Sequence, residues 1–193
     1  MKTKRIEIQH QRLAFDGHFK IEEAEIRFQR YDGHMSKPVR RLVFIRGDAA
    51  AALLFHRESQ KVLWIEQFRY PTYEKGPGWI QEVVAGMIDP GEGPEEAIRR
   101  EIEEEIGYRV HLLVPIAAFY VSPSGTSERI FLYYAEVGEN ERIAPGGGRA
   151  DENEDIRLVE YAKSDLLQAL TAGQIQDAKT LIALQWLQLQ GKL

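Results

Sequence analysis

Residues 86–108 read GMIDPGEGPEEAIRREIEEEIGY, and the spacing of glycine, arginine and glutamate in this stretch decides how the rest of the chain is read. From Gly86 the pattern runs through Glu92, then Arg100-Glu101, an apolar Ile102, the pair Glu104-Glu105, and Gly107 followed by Tyr108. Pro94 suits the first helical position, Glu95 and Glu96 suit the positive end of the dipole, and Gly107 can end the helix, so a turn and then a helix over 94–106 are predicted. With Glu101 as the zero of a helical wheel, Glu105 falls at about 40° and Glu104 at about −60°, so three carboxylates share one arc. Ile98, Ile102 and Ile106 lie beside that arc, where they can pack the helix against a core. Glu103 points elsewhere, toward solvent.

Carboxylates held together repel unless something cationic sits among them, and in a partly buried cleft that repulsion is weakly screened. A divalent cation answers this. The stretch contains neither Cys nor His, and an all-oxygen donor set suits a hard ion, Mg²⁺ or Mn²⁺, over Zn²⁺. Such an ion is in turn suited to phosphate oxygens. Arg100, four residues before Glu104, can hold that carboxylate by a charge-assisted hydrogen bond. A Glu-rich helix is ordinarily just a solvated face. A glycine-bounded turn, a placed arginine and an apolar flank are not needed for solubility, and together they outweigh that reading. The stretch resembles the signature of the Nudix hydrolases, G-x5-E-x7-R-E-U-x-E-E-x-G-U, with Tyr108 in the last apolar slot as a mild departure.

The composition agrees with a soluble enzyme. A chain of 193 residues can bury a full core and carry one domain with a smaller addition. Without cysteine it has neither disulfides nor a thiolate nucleophile, which fits a cytoplasmic location. The N-terminal MKTKRIEIQH has no apolar signal-peptide core and no run of 18 apolar residues occurs, so neither secretion nor membrane spanning is expected. A net charge of −5 argues against broad nucleic-acid binding.

The first 47 residues read as β structure, with strands at 6–15, 19–31 and 39–46 and a turn at Asp32-Gly33. Three such strands make a poor core alone and need the remainder or another subunit to cover them. A buried run at 49–55, a strand at 62–68, a loop at 70–78 and one strand at 79–84 lead to Gly86. After the helix come strands at 112–121 and 130–137, separated by the turn-rich 122–127, then a loop at 144–155 and a last strand at 156–161. Helices follow at 164–172 and 177–190, the second with Asp177 as N-cap. Strands interleaved with helices on both sides predict an α/β/α sandwich with a mixed sheet, as the Nudix resemblance also implies, with residues 1–47 as a small N-terminal β domain and 48–193 as the hydrolase domain.

The loop at 144–155 holds Gly146-Gly147-Gly148 and then ADENED, whose carboxylates could complete a metal site or supply a base. With SPSGTSER at 122–129, QFR at 67–69, VRR at 39–41 and IALQWLQLQ at 182–190, ADENEDIR at 150–157 resembles the ADP-ribose pyrophosphatase branch of the Nudix family. That resemblance implies that Glu101 and Glu105 ligate Mg²⁺ with the carbonyl of Ala85 and with Glu154, more than one ion being held, and that Glu92 supports the metal shell. It offers Glu152 as the general base, with Glu104 as the rival. It implies further that Arg69 clamps the diphosphate, that Arg41 and Phe19 bind substrate from the N-terminal domain, and that Glu128 touches the site. Ser124 stands where the family loop has glycine, which unsettles the placing of Glu128.

The implied reaction is Mg²⁺-dependent hydrolysis of the pyrophosphate bond of a nucleoside diphosphate sugar, ADP-ribose giving AMP and ribose 5-phosphate. GDP-mannose hydrolases, whose chains also carry QFR and a Gly-Gly-Gly run, give the alternative substrate, and a catalytically silent nucleotide sensor is the alternative of another class. The resemblance also implies a homodimer that exchanges N-terminal strands.

Overall fold

The computed structural model describes residues 4–193; residues 1–3, the start of the segment read for a signal peptide, lie outside the described residues. Two compact units form. One runs to Gly47 and takes in Tyr120–Glu128; the other is Asp48–Phe119 with Arg129–Leu193.

In the first unit, β1 (Ile6–Asp16), β2 (Lys20–Phe28) and β3 (Val39–Ile45) make an antiparallel sheet in the order β1-β2-β3. The segment at 120–128 joins it through the Phe44 amide, which donates to the Gly125 carbonyl at 2.8 Å, and through the Thr126 hydroxyl, which donates to the Phe44 carbonyl at 3.0 Å. Ile6, Ile8, Leu13, Phe15 and Leu42 remain exposed on this sheet.

The second unit is organised by β4 (Ala49–His56), which is buried at every position. Its side chains alternate between two cores, as strand geometry requires. Ala50, Ala52 and Leu54 face Ile98, Ile102 and Ile106 of α1 (Pro94–Ile106), while Ala49, Ala51, Leu53 and Phe55 lie in the cluster of Leu166, Leu184 and Leu187. Those leucines come from α2 (Lys163–Thr171) and α3 (Ala178–Leu189). Four consecutive alanines leave room for helices on both sides, and an α/β/α sandwich results.

Around β4 the sheet runs β10-β5-β4-β9-β8, where β5 is Lys61–Phe68, β8 is Val114–Tyr120, β9 is Arg129–Val137 and β10 is Arg157–Ala162. β9 is parallel to β4 while β5 is antiparallel to it, which makes the sheet mixed. The single strand expected at 79–84 is in fact two. β6 (Trp79–Glu82) pairs with β5 and β7 (Val84–Met87) pairs with β4, so the chain crosses between neighbours at Val83. A residue that changes partner needs another acceptor for its amide. The buried Val83 N–H finds one in the Thr180 hydroxyl of α3, at 2.9 Å.

Gly107 ends α1 in the left-handed region, φ 76°, with its amide on the Glu103 carbonyl. A Cβ there would stand 2.0 Å from the Ala144 carbonyl oxygen, so the position also demands close backbone approach. The glycine run then caps the helix from outside: the Gly147 and Gly148 amides donate to the Glu105 and Glu104 carbonyls at 2.9 and 3.0 Å. Among the described residues no helix is long and apolar enough to cross a membrane.

Because Ile102 is fully buried between α1 and the sheet, Ile102→Ala is expected to lower stability by about 2–5 kcal/mol. Urea denaturation measures this; a loss below about 1 kcal/mol would show that the helix is held mainly by its polar face.

Candidate active site

The arc of carboxylates on α1 is gathered around Arg100. Its guanidinium donates to Glu92 from Nε at 3.1 Å and from Nη2 at 3.0 Å, to Glu101 from Nη1 at 2.7 Å, and to the Met87 carbonyl at 3.1 Å. Glu104, the expected partner, is a more distant fourth at 3.4 Å. The bidentate fork explains the order, since the turn before the helix brings Glu92 to face the guanidinium plane. Pairing with Glu92 and Glu101 outweighs partial burial and raises the Arg100 pKa beyond its ordinary range, while Arg100 and the Asp89 amide hold Glu92 below its own. Glu92 thus acts on the arc by fixing Arg100.

Glu105 is different. It is 2 % exposed, and among the described residues its Oε2 has no hydrogen-bond partner. Burial pushes its carboxyl well above the usual range, and the neighbouring Glu101 adds to the rise. Burial also raises Glu101, against the pull of Arg100, and Glu154 contributes to the rise in both. Leaving a buried carboxylate oxygen unpartnered is costly. A hard divalent cation removes that penalty, and the donors present, all oxygen, fit one. Among the described residues no three Asp, Glu or His side chains converge into a complete ligand set. A cation held there would need main-chain carbonyl or water oxygens beside the carboxylates.

The main chain for that purpose is at hand. β7 pairs Ala85 with Ala51 and Gly86 with Ala50, which lays this backbone beside α1. A Cβ on Gly86 would stand 1.9 Å from the Glu101 carboxyl carbon.

The acidic loop reaches the same place through the glycine run. Residues Ala150–Glu152 form one turn of 3₁₀ helix that Asn153 ends at φ 54°. Glu154 accepts from the Arg149 amide at 2.8 Å; Glu152, half exposed, pairs with the Arg149 guanidinium at 2.9 Å. The Arg149 pKa is raised by Asp151 and Glu152, with a smaller contribution from Glu104 of α1. One arginine therefore feels both candidate bases.

Arg69 follows β5, and its Nε donates to Glu82 at 2.8 Å. Its charge opposes the rise at Glu105, so it too belongs to this electrostatic neighbourhood. Glu82 escaped the sequence reading. The one available signal was a lone acid in the apolar run WIQEVV, and it is buried with only 3 % exposure. Phe19, Arg41 and Glu128 lie in the other unit. There Phe19 stacks edge-on against Phe44 at 5.3 Å, Arg41 bonds the Arg40 carbonyl, and Glu128 pairs with Arg46 at 3.5 Å.

The closeness of Gly86 to Glu101 gives a direct test. Gly86→Ala is expected to displace the Glu101 carboxylate and to lower stability by about 1–3 kcal/mol in urea denaturation. An unchanged stability would mean that Glu101 moves aside freely.

Comparison with known proteins agrees with this geometry. The NUDIX domain model matches residues 45–183. An ADP-ribose pyrophosphatase of Escherichia coli strain K12 is 40% identical over 187 residues, 95% of this chain and 88% of that protein. A GDP-mannose pyrophosphatase of Cronobacter sakazakii is 37% identical over 188 residues, 96% of each. A crystal structure titled ADP compounds hydrolase superposes with a TM-score of 0.71 at 20% identity, covering all of both chains, which supports the fold. With the signature helix, the two-faced mixed sheet and relatives that span nearly its whole length, the chain belongs to the Nudix hydrolase family.

Proposed function

We propose that this Nudix hydrolase cleaves the pyrophosphate bond of a nucleoside diphosphate sugar, ADP-ribose foremost, releasing AMP and ribose 5-phosphate. The observation that carries the reading is the buried, unpartnered oxygen of Glu105 beside Glu101, a place made for a cation that binds phosphate oxygens. The names of the relatives, ADP-ribose and GDP-mannose pyrophosphatase, support the substrate class.

Glu101, Glu105, Glu154 and the Ala85 carbonyl would hold Mg²⁺, or Mn²⁺ in its stead, as more than one ion. A metal bound there would supply charge neutralisation for the diphosphate and a lowered pKa for a bound water. Arg69 supplies a cation to the diphosphate. Its Nε is fixed on Glu82, and among the described residues its two terminal amino groups have no protein partner. Glu152 takes the proton from the attacking water; its half-exposed carboxylate is held by one exposed arginine, so it can turn to a substrate. Glu104, paired at longer range with Arg100, is the second candidate for that role.

The exposed apolar residues of the N-terminal sheet favour a homodimer with exchanged strands. In that assembly Phe19 and Arg41 contact substrate from the partner's side; Glu128, independently of it, adds a carboxylate from the loop at 122–129. Light scattering should give twice the chain mass. A monomer that keeps its activity removes these cross-subunit roles.

Two further tests address the chemistry. Thermal unfolding with Mg²⁺ at about 100 times its Kd should stabilise the wild type by about 2.7 kcal/mol, and Glu105→Gln should abolish that gain; a gain retained in full places the ion elsewhere. Turnover of ADP-ribose, GDP-mannose, ADP-glucose and UDP-glucose should be fastest for ADP-ribose, and Glu152→Gln should lower kcat by about 10²–10⁴. Near-normal kcat in Glu152→Gln together with loss in Glu104→Gln moves the base to Glu104. No turnover of any nucleotide sugar would leave a nucleotide sensor.

A further inference from the structure

The first turn of α3 carries a buried polar chain that the reaction as derived does not use. Glu82 is almost wholly buried, and both of its oxygens are taken, Oε1 by the Arg69 Nε and Oε2 by the Lys179 ammonium, each at 2.8 Å. Lys179 also donates to Asp177 Oδ1 at 2.8 Å. The other oxygen of Asp177 caps α3, accepting from the Thr180 amide at 2.8 Å and from its hydroxyl at 2.7 Å. That hydroxyl in turn accepts from the Val83 amide at 2.9 Å, where the chain passes from β6 to β7 on its way to Ala85 and Gly86. Glu82 and Lys179 are 97 residues apart in sequence.

Each link has a physical reason. A carboxylate as buried as Glu82 is costly with one cation on one oxygen, and a second cation on the other completes it. Burial disfavours the Lys179 charge, but Glu82 and Asp177 outweigh it and hold its pKa above the ordinary lysine value. The ammonium is therefore kept charged by its two carboxylate partners. A guanidinium fixed at Nε and unpartnered at both terminal amino groups is in the arrangement that grips a phosphate bidentately.

We propose that Lys179 is a positioning residue for the hydrolysis: through Glu82 it fixes the Arg69 guanidinium for the substrate diphosphate, while its neighbours Asp177 and Thr180 anchor the strand crossing that leads to Ala85. The inference rests on the diphosphate role of Arg69 given above. It makes the start of α3 a support for two parts of the site. Without the ammonium, Glu82 has an unmatched oxygen and turns, and Arg69 loses its fixed direction.

The test is a double-mutant cycle on the full-length enzyme with ADP-ribose and Mg²⁺. Arg69→Ala should raise KM by about tenfold or more, the effect of losing a charge-assisted contact. Lys179→Met should raise KM by a similar factor with a smaller change in kcat, and Lys179→Arg, which keeps the cation, should recover most of the loss. In the Arg69→Ala background Lys179→Met should add almost nothing. The Arg69 Nε–Hε resonance, assigned as the peak lost in Arg69→Ala, should shift in Lys179→Met and stay near its wild-type position in Lys179→Arg. An unchanged KM in Arg69→Ala overturns the role of Arg69 and this inference with it. Normal loss in Arg69→Ala with a fully additive Lys179→Met effect, or with an unmoved resonance, overturns the positioning role alone.

Discussion

A helix that carries three carboxylates on one arc can lie against a sheet only if their charge is compensated. In this protein the compensation is divided. Arg100 takes Glu92 in a bidentate pair and keeps Glu101 and Glu104 in reach, so the outer part of the arc is neutralised by the protein itself. Glu105 receives no such partner for its inner oxygen and stays buried. The arginine thus orders the outer carboxylates, while an oxygen of the most desolvated one is left without a hydrogen bond among the described residues. Burial disfavours the charged form of such a carboxylate, and the same desolvation that penalises it alone rewards its pairing with a cation.

The rest of the second unit serves that arc. β4, with four alanines, lets α1 approach one face of the sheet while α2 and α3 cover the other. Its pairing with β7 sets Ala85 and Gly86 beside Glu101. On the far face, α3 reaches the strand crossing at Val83 and the Glu82 carboxylate. Both layers of helices therefore make polar contacts with the segment at 82–92, and neither is merely a cover for the core.

The sequence carried much of this in local form. The helix at 94–106, its apolar flank and its carboxylate arc follow from residues three and four apart, and the Asp177 cap of α3 from a single side chain. What it did not carry is long-range. The run WIQEVV holds no glycine, proline or other turn residue, so nothing in it marks where β6 gives way to β7; the reason lies in Thr180, far along the chain. Glu82 and Lys179 read as an isolated acid and an isolated base, and only the fold joins them. The segment at 120–128 shows turn chemistry but no sign that it packs with the N-terminal strands. Arg100 was read toward Glu104 because helical spacing favours that pair, whereas the turn offers Glu92 in better geometry.

The glycine run at 146–148 has a consequence for how such an enzyme can change. The Gly147 and Gly148 amides are committed to the last carbonyls of α1, and the Ile156 amide closes the loop on the Gly147 carbonyl at 3.1 Å. The loop's base is thus part of the scaffold, while Asp151 and Glu152 stand out from it, exposed. Exposed positions on a pinned base tolerate substitution with little loss of stability. Residues 149–153 are accordingly where variation can change the charge displayed beside α1 without disturbing the packed helix. A loop that separates its anchor from its exposed charges within a dozen residues is well suited to diverge.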